Sequence, residues 1–203
     1  MKYKFLTLLA FALSTPLAFS GNYILTINDK EYDLSLGEKE RIKIGDQNLS
    51  IKLIQKDNLI FKTDNFSFQH PGKYSPSKND LGNGIYQTAM MTPLGTVVLV
   101  QEYSSIDPSG LVDLMVNEVT KEEREYGYDI KSSPDSLTLS DGAKLTGKVV
   151  VSKYKGSNIK RYIYTYGMKD SGLLIMTQIN YGLASSDEEI IKKFFDSLLI
   201  TIK

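Results

Sequence analysis

Residues 145–168 read LTGKVVVSKYKGSNIKRYIYTYGM and contain two long strand patterns joined by a turn. Both halves are rich in β-branched and aromatic residues, which pack well on a half-buried sheet surface. Gly156-Ser157 has glycine in first place, as type II′ hairpin turns require, and this predicts a register in which Gly147 faces Tyr166. In that register the tyrosines of the second strand share a face with the apolar residues of the first. We therefore predict that these rings are core, and not an exposed platform on which bases stack.

Strand patterns continue on both sides of this hairpin. LLIMTQIN, residues 173–180, follows it, and LTLSDGAKLTG, residues 137–147, precedes it with a turn at Asp141-Gly142. Further upstream, Pro93-Leu94-Gly95 separates two more β-rich runs, as the loop of a hairpin does. Two segments complete this half of the chain, a strand FSFQH at residues 66–70 and a predicted polar loop at residues 72–83.

Two helices are predicted beside these strands. Asp107 can cap the free amides of a helix that begins with Pro108, and Gly127 can end that helix by adopting a left-handed backbone. Ser186 and Glu189 have the spacing of a capping box, and apolar residues recur after them at steps of three and four. Strands joined by hairpins, together with two helices, predict an α+β fold built on an antiparallel sheet.

Residues 21–64 are predicted to form an N-terminal β-meander of five short strands. β-rich segments alternate there with turn residues such as Asn28-Asp29-Lys30 and Gly45-Asp46. The alternation along the segments indicates one apolar and one wet face per strand. A meander of this size is small to stand alone, so we expect it to pack on the domain that follows, residues 65–203.

The order of elements in this second domain resembles the PsbP-like family, which is named for the extrinsic oxygen-evolving subunit of photosystem II. The resemblance rests on Phe66-Ser67-Phe68 with Pro71 and Tyr74, a helix after SSIDP, long strands from DGAKLTG, and a last helix ending in FFDSLLI. Tyr74 stands where the family often has tryptophan, and His70 where it has tyrosine. The resemblance implies an α/β/α sandwich over residues 65–203 and a binding or accessory role. It carries over no catalytic or metal-binding residue.

The first twenty residues have the pattern of a secretory signal peptide. Lys2 and Lys4 precede an apolar run, and Ala18-Phe19-Ser20 puts small residues before a cut at Gly21. The run is shorter than the roughly 20 residues of a membrane span, and the chain has no cysteine for a lipid anchor. We therefore predict a signal peptide at residues 1–20 and an exported, soluble protein, periplasmic or extracellular, without stable membrane insertion.

His70 is the one histidine of the chain. No G-x-S-x-G elbow occurs, and one histidine without cysteine cannot form the common zinc ligand sets. A lone imidazole is enough for a general base, so that hypothesis stays open. The alternative is structural, because a residue before proline favours extended geometry and His70 then ends a strand as the chain turns at Pro71-Gly72.

Seven cations and no acid occur between Ala143 and Lys169, although the whole chain has 24 basic and 24 acidic residues. The hairpin register predicts that Lys153, Lys155 and Lys160 cluster at the hairpin tip. This tip is either merely solvated or a contact for an anionic partner such as a lipid head group, an envelope polysaccharide or an acidic protein. Export argues against an intracellular nucleic acid as the partner.

Glu118, Glu122 and Glu125 recur at steps of four and three on one face of the first helix. Calcium takes about six to eight oxygen ligands, usually with loop carbonyls among them, and no EF-hand loop motif occurs. The alternative is a solvated helix face with local ion pairs, such as Lys121 with Glu125.

These features favour a non-enzymatic binding or accessory protein of the bacterial cell envelope that uses no cofactor. Its partner would be an unknown protein or envelope component. Two alternatives stay open. One is an enzyme that uses carboxylates, tyrosines or His70, and the other is a secreted protein that acts on a host or competitor.

Overall fold

The computed structural model of the protein describes residues 22–202. The predicted signal peptide at residues 1–20 lies outside them. The chain divides into two compact units, one up to Gln55 and one from Lys56. Within residues 22–202, none of the helices has the length and hydropathy of a transmembrane span.

The described part of the first unit consists of two antiparallel hairpins. Their strands are β1 (Asn22–Ile27) with β2 (Lys30–Ser35), and β3 (Lys39–Ile44) with β4 (Gln47–Lys52). Asn28 and Asp29 have positive φ angles of 49° and 59°, as a type I′ turn between β1 and β2 requires. The Tyr32 hydroxyl donates to the Lys43 carbonyl oxygen at 3.1 Å and links the hairpins. Four strands of the predicted meander are thereby confirmed.

The fifth strand predicted for the meander belongs instead to the second unit. There β5 (Asn58–Lys62) pairs with β6 (Phe66–Pro71), whose other edge pairs with the two-residue β14 (Leu199–Ile200). The predicted placement is wrong because β5 has aromatic partners in β6. The Phe61 ring centroid lies 6.2 Å from that of Phe66 and 5.5 Å from that of Phe68.

Between residues 56 and 202, the largest element is a seven-stranded antiparallel sheet. From edge to edge its strands are β10 (Asp129–Thr138), β11 (Lys144–Tyr154), β12 (Ser157–Met168), β13 (Ser171–Asn180), β9 (Val97–Tyr103), β8 (Ile85–Met91) and β7 (Ser77–Gly82). The hairpin predicted around Pro93-Leu94-Gly95 is confirmed as β8 and β9. The loop predicted at residues 72–83 is wrong in its second half, because β7 pairs there with β8 as an exposed edge strand.

The predicted first helix is broken into three pieces. A 3₁₀ turn, Pro108–Leu111, leads into α1 (Val112–Val119) and α2 (Lys121–Glu125). The Asp107 side chain accepts the Ser109 amide at 2.8 Å, which confirms the predicted cap. The break falls at Thr120, whose hydroxyl donates to the Val116 carbonyl oxygen at 2.6 Å and so competes with the helical backbone. Gly127 ends this region with a φ of 82°, as predicted.

The last helical region also consists of separate segments. These are α3 (Tyr181–Ala184), a 3₁₀ turn (Ser185–Asp187) and α4 (Glu188–Ser197). The predicted capping box of Ser186 and Glu189 is wrong, because Ser186 lies within the 3₁₀ turn and α4 begins without a side-chain cap. The Asn180 side chain instead accepts the Gly182 amide at the start of α3, at 3.1 Å.

Different elements pack on the two faces of the large sheet. On one, the α1 face, a small cluster joins α1 to the strands through Val112, Val116, Val150, Ile163 and Met176. On the other, the α4 face, α4 and β6 pack over a larger cluster that includes Phe66, Phe68, Val100, Leu145, Ile175 and Phe194. The predicted α+β fold with an antiparallel sheet is confirmed.

The hairpin between β11 and β12 turns one residue earlier than predicted. Lys155 and Gly156 form the turn, with φ angles of 42° and 87°. Two positive φ angles define a type I′ turn, in which glycine favours the second place. The pairing therefore slides by two residues, so that Gly147 faces Tyr164 and not Tyr166. Because side chains alternate with a period of two, every residue keeps the face predicted for it.

Candidate functional site

One row of the large sheet brings together residues of three neighbouring strands. Asp135 of β10 lies beside Gly147 of β11, which lies beside Tyr164 of β12. Because Gly147 has no side chain, the Tyr164 hydroxyl reaches across it and donates to Asp135 Oδ2 at 2.6 Å. A Cβ atom at position 147 would overlap the Ile163 carbonyl oxygen and lie 2.8 Å from the Tyr164 Cα atom. The close approach of the two backbones therefore requires glycine here.

Three aromatic rings form an apolar wall next to this row. Tyr162 and Tyr164 project from the same face of β12, with ring centroids 6.1 Å apart. Phe195 of α4 meets both rings edge-on, at centroid distances of 5.9 and 5.8 Å. Edge-to-face contacts set a positive ring edge against a negative ring face. These contacts fix α4 over β12.

The rings line a cleft of about 440 Å³ that is bounded by β10, β12, β13, α3 and α4. Its apolar lining also includes Leu137, Ile179 and Ile191. Among the described residues that line it, the charged side chains are four carboxylates and one ammonium, those of Asp135, Glu188, Glu189, Asp196 and Lys192. Ligand pockets commonly measure about 300–1,000 Å³ and combine apolar walls with a few polar groups. The cleft therefore has the size and lining of a small-molecule site.

Two phenols donate to carboxylates of the cleft and stay protonated. The Tyr181 hydroxyl donates to Glu188 Oε1 at 3.0 Å. Burial, followed by this hydrogen bond, raises the pKa of Tyr181 to about 12. Burial and the hydrogen bond to Asp135 also raise the pKa of Tyr164 far above its ordinary value. Near neutral pH both side chains are therefore neutral hydrogen-bond donors.

The remaining carboxylates of the cleft differ in their partners. Lys192 Nζ lies 3.1 Å from Asp196 Oδ2, and this hydrogen bond, with smaller help from the charge of Glu189, raises the pKa of Lys192. The Glu189 side chain is exposed, and within the described part of the chain it forms neither a hydrogen bond nor a close ion pair. The lining thus contains four carboxylates and one ammonium, and the Lys160 ammonium over the Tyr162 ring adds a second cation, so the site keeps a net negative charge.

His70 is buried at the end of β6. Its Nδ1 atom lies 2.7 Å from the Tyr74 carbonyl oxygen and 3.0 Å from that of Pro71. Two carbonyl acceptors assign the hydrogen to Nδ1, which donates to the turn after β6. Within residues 22–202, neither the hydrogen bonds of His70 nor its ring contact with Phe68 involves a carboxylate or hydroxyl group. This geometry supports the structural interpretation of His70.

The structure uses part of the predicted basic run to hold the helices of the α1 face. Arg161 is buried and donates through two nitrogens to the two carboxylate oxygens of Glu123 in α2, at 3.0 and 2.5 Å. Lys148 pairs with Asp113 of α1. These two cations are therefore structural anchors and not free basic surface.

The three lysines predicted to cluster at the hairpin tip all belong to the β11–β12 hairpin, with Lys153 and Lys160 on one face of the sheet and Lys155 over the other. Lys155 Nζ lies 4.9 Å from the ring centroid of Tyr154, on the α1 face. Lys160 Nζ lies 4.6 Å from the ring centroid of Tyr162, on the α4 face. Lys153 is exposed. Within residues 22–202, none of the three pairs with a carboxylate.

The glutamates predicted on one helix face do not gather into a site. Glu118, Glu122 and Glu125 are exposed, and their neighbour Glu123 turns inward to Arg161. In the part of the chain that the structure describes, no group of three or more His, Cys, Asp or Glu side chains is arranged to hold a metal ion. The ion pair predicted between Lys121 and Glu125 is likewise absent from the described residues.

Sequence reasoning missed the cleft and singled out neither Asp135 nor Tyr181. The signal that could have found it is Gly147, since a glycine inside a long strand marks a close backbone approach. With a type I′ turn at Lys155-Gly156, the same glycine would have been placed opposite Tyr164. The position of Asp135 beside Gly147 depends separately on the pairing of β10 with β11.

Similarity to known proteins is slight. No protein-family model matches the chain, and no curated protein matches it. One solved structure, a protein from Bacteroides thetaiotaomicron VPI-5482, is similar to 73% of this chain and to 50% of its own length, with 10% sequence identity and a TM-score of 0.34. The likeness thus spans half of that protein, and at this TM-score it carries no argument about fold family or function.

Proposed function

We propose that the protein is an exported, non-enzymatic binding protein of the cell envelope, and that the cleft between α4 and the sheet is its ligand site. One observation carries the proposal: a single concave region combines a volume of about 440 Å³, the aromatic wall and a polar rim. The rim consists of Asp135, Tyr181, Glu188, Glu189, Lys192 and Asp196. This is the arrangement with which proteins bind small ligands. The signal-peptide pattern of residues 1–20 supports export.

The chemistry of the cleft favours binding over catalysis. The raised pKa values of Tyr164 and Tyr181 keep both phenols protonated, so neither is a ready nucleophile or base near neutral pH. His70 uses its Nδ1 hydrogen to hold a turn. The alternative, an enzyme that uses carboxylates, tyrosines or His70, predicts turnover on a broad hydrolase panel that Asp135→Asn or His70→Gln abolishes. We expect no turnover.

We keep the PsbP-like α/β/α sandwich over residues 65–203 as the proposed fold family. Its support is the order of elements, in which β6 and the β8–β9 hairpin are followed by a helical region, the four long strands β10 to β13 and a final helical region. The binding or accessory role that the resemblance implies agrees with a cleft as the functional site. Fold alone does not assign the ligand.

The test is a titration of the uniformly ¹⁵N-labelled mature protein with small organic probes of positive, zero and negative charge. We expect one class of probe to shift the amide signals of Ile179, Ile191 and Phe195 together. Tyr181→Ala, which removes one ring from the rim, should weaken that binding about tenfold or more. Tyr126→Ala is the matched control, because Tyr126 is 71% exposed and lies outside the cleft. If no class of probe shifts the cleft signals of the folded protein, the proposed site is wrong.

Cell location separates this proposal from a secreted protein that acts on a host or competitor. Fractionation of the producing cells should recover the protein from the envelope or periplasm, with Gly21 at its N-terminus. Recovery mainly from the medium would favour the secreted alternative.

A second binding surface is favoured by the charges of the β11–β12 hairpin. Lys148 and Arg161 have carboxylate partners, whereas Lys153, Lys155 and Lys160 have none within residues 22–202. We propose that these three lysines contact an anionic partner, with an affinity that falls as salt rises.

Chromatography on immobilised dextran sulfate tests this second surface. A triple variant with glutamine at Lys153, Lys155 and Lys160 should elute at lower salt than the unchanged protein. The matched control places glutamine at Lys39, Lys43 and Lys52, three exposed lysines of the first unit. Equal shifts for the two variants would show that bulk charge, and not the hairpin, determines retention.

A further inference from the structure

We infer that the ligand of the cleft is a small organic cation, an ammonium group attached to a short apolar body. The inference rests on the proposed function, because it names the ligand class of the same site. It combines two features of the cleft, the charge that its own residues leave unbalanced and the aromatic surface next to that charge.

The four carboxylates that line the cleft outnumber the cations beside them. Lys192 neutralises Asp196 at 3.1 Å. Asp135 and Glu188 accept hydrogen bonds from phenols that keep their protons, so those contacts leave both negative charges in place. Glu189 adds a third charge that forms no close ion pair among the described residues, and the Lys160 ammonium over the Tyr162 ring offsets one of the three. The lining therefore carries net negative charge, which a bound cation would balance.

The aromatic wall of the cleft already contacts one cation of the protein. The Lys160 ammonium lies 4.6 Å from the ring centroid of Tyr162, within the range of a cation–π interaction. The wall that includes Tyr162 and Tyr164 is therefore built of rings whose faces attract cations. A ligand with an ammonium group and an apolar body satisfies carboxylates and rings together.

Neutral and anionic ligands fit this combination less well. A neutral polyol can donate hydrogen bonds to Asp135, Glu188 and Glu189, but it leaves the net negative charge of the lining unbalanced. An anion would add to that negative charge in a site with low-dielectric walls. The arrangement therefore discriminates by charge more than by shape.

Three probes of nearly the same shape test this discrimination. Choline carries a positive charge, 3,3-dimethylbutan-1-ol is its neutral isostere, and 3,3-dimethylbutanoate carries a negative charge. Each is titrated into the ¹⁵N-labelled mature protein at low salt, and shifts of the Ile191 and Phe195 amide signals report occupancy of the cleft. We expect choline to bind at least about tenfold more tightly than the alcohol, and the carboxylate to bind least.

Variants assign the preference to the cleft. Glu189→Gln should lower choline affinity several-fold and leave the affinity for the neutral alcohol unchanged. Glu125→Gln, an exposed glutamate of α2 outside the cleft, is the matched control and should change neither affinity.

The outcomes separate this inference from the proposal on which it rests. Equal affinity for choline and the alcohol, or a preference for the carboxylate, would overturn the cationic ligand and leave the cleft as a binding site. If Glu189→Gln does not alter the preference for choline, the carboxylates of the cleft are not the source of that preference, and the inferred cation site is wrong. Failure of every probe to shift the cleft signals would overturn both proposals.

Discussion

Replacing Glu123 by alanine removes the carboxylate from the most buried ion pair of the α1 face. The side chains of Arg161 and Glu123 are 5% and 12% exposed, and the guanidinium also donates to Gln178 Oε1 at 2.7 Å. Without Glu123, the Arg161 cation keeps a neutral amide and the Ser152 hydroxyl as acceptors and has lost its counter-charge. Removing one partner of a buried pair costs about 3–5 kcal/mol. Because Gln178 remains, we expect a cost of about 3 kcal/mol.

Urea unfolding, followed by far-ultraviolet circular dichroism, measures this cost. With slopes of about 1–3 kcal/mol per molar urea, the midpoint should fall by about 1–3 M. Glu122→Ala, at an exposed neighbour in α2, is the control and should stay within about 0.5 kcal/mol. Replacing both partners by apolar residues, Glu123→Leu together with Arg161→Met, should recover most of the loss, because no buried charge is then left alone. A loss below about 1 kcal/mol for Glu123→Ala would refute the reasoning.

Three further predictions concern single residues. Gly147→Ala should destabilise the protein by about 1–3 kcal/mol in the same assay, because its Cβ atom would meet backbone atoms of β12, whereas Gly110→Ala adds a Cβ atom in open space and should be nearly neutral. The pKa of Tyr181 is about 12 in the folded protein and about 10 in the unfolded chain, so the folded state holds the phenol proton more tightly. The contribution of this proton to the unfolding free energy is complete below pH 10 and is lost as the pH rises from about 10 to about 12. Tyr181→Phe should therefore flatten the fall in unfolding free energy over that pH window, and an unchanged slope would contradict the assignment. His70→Gln should leave probe binding at the cleft unchanged, and loss of binding by a folded variant would revive a functional role for His70.

Local backbone structure is predictable from the sequence where a few adjacent residues determine it. Asp107 caps the turn that begins at Pro108, and the loop at Pro93-Leu94-Gly95 joins two strands, because both depend on the backbone preferences of consecutive residues. The α+β class follows for the same reason, from strand and helix patterns that are continuous in sequence. The predicted face of each tyrosine in β12 is also correct, since alternation is a local property.

Long-range pairing is not predictable in the same way. Nothing in residues 58–62 alone indicates that this strand pairs forward with β6 instead of backward with β4, since both would bury Phe61 on a sheet. The sequence of β7, SKNDLG, predicts a loop because it shows no apolar alternation. In the fold all six residues are exposed. An edge strand without a buried face gives no periodic signal.

The residues that meet in the cleft depend on the register between β11 and β12. Its polar and aromatic residues come from β10, β12, α3 and α4, and the register of the β11–β12 hairpin decides which of the strand residues meet. With the turn at Lys155-Gly156, the row across the sheet reads Asp135, Gly147, Tyr164, and the missing side chain in the middle lets a phenol reach a carboxylate two strands away. Had the turn lain one residue later, Gly147 would face Tyr166, and the phenol beside Asp135 would be that of Tyr166. A change of turn type therefore moves no residue to the other face of the sheet, yet it determines which tyrosine meets the Asp135 carboxylate.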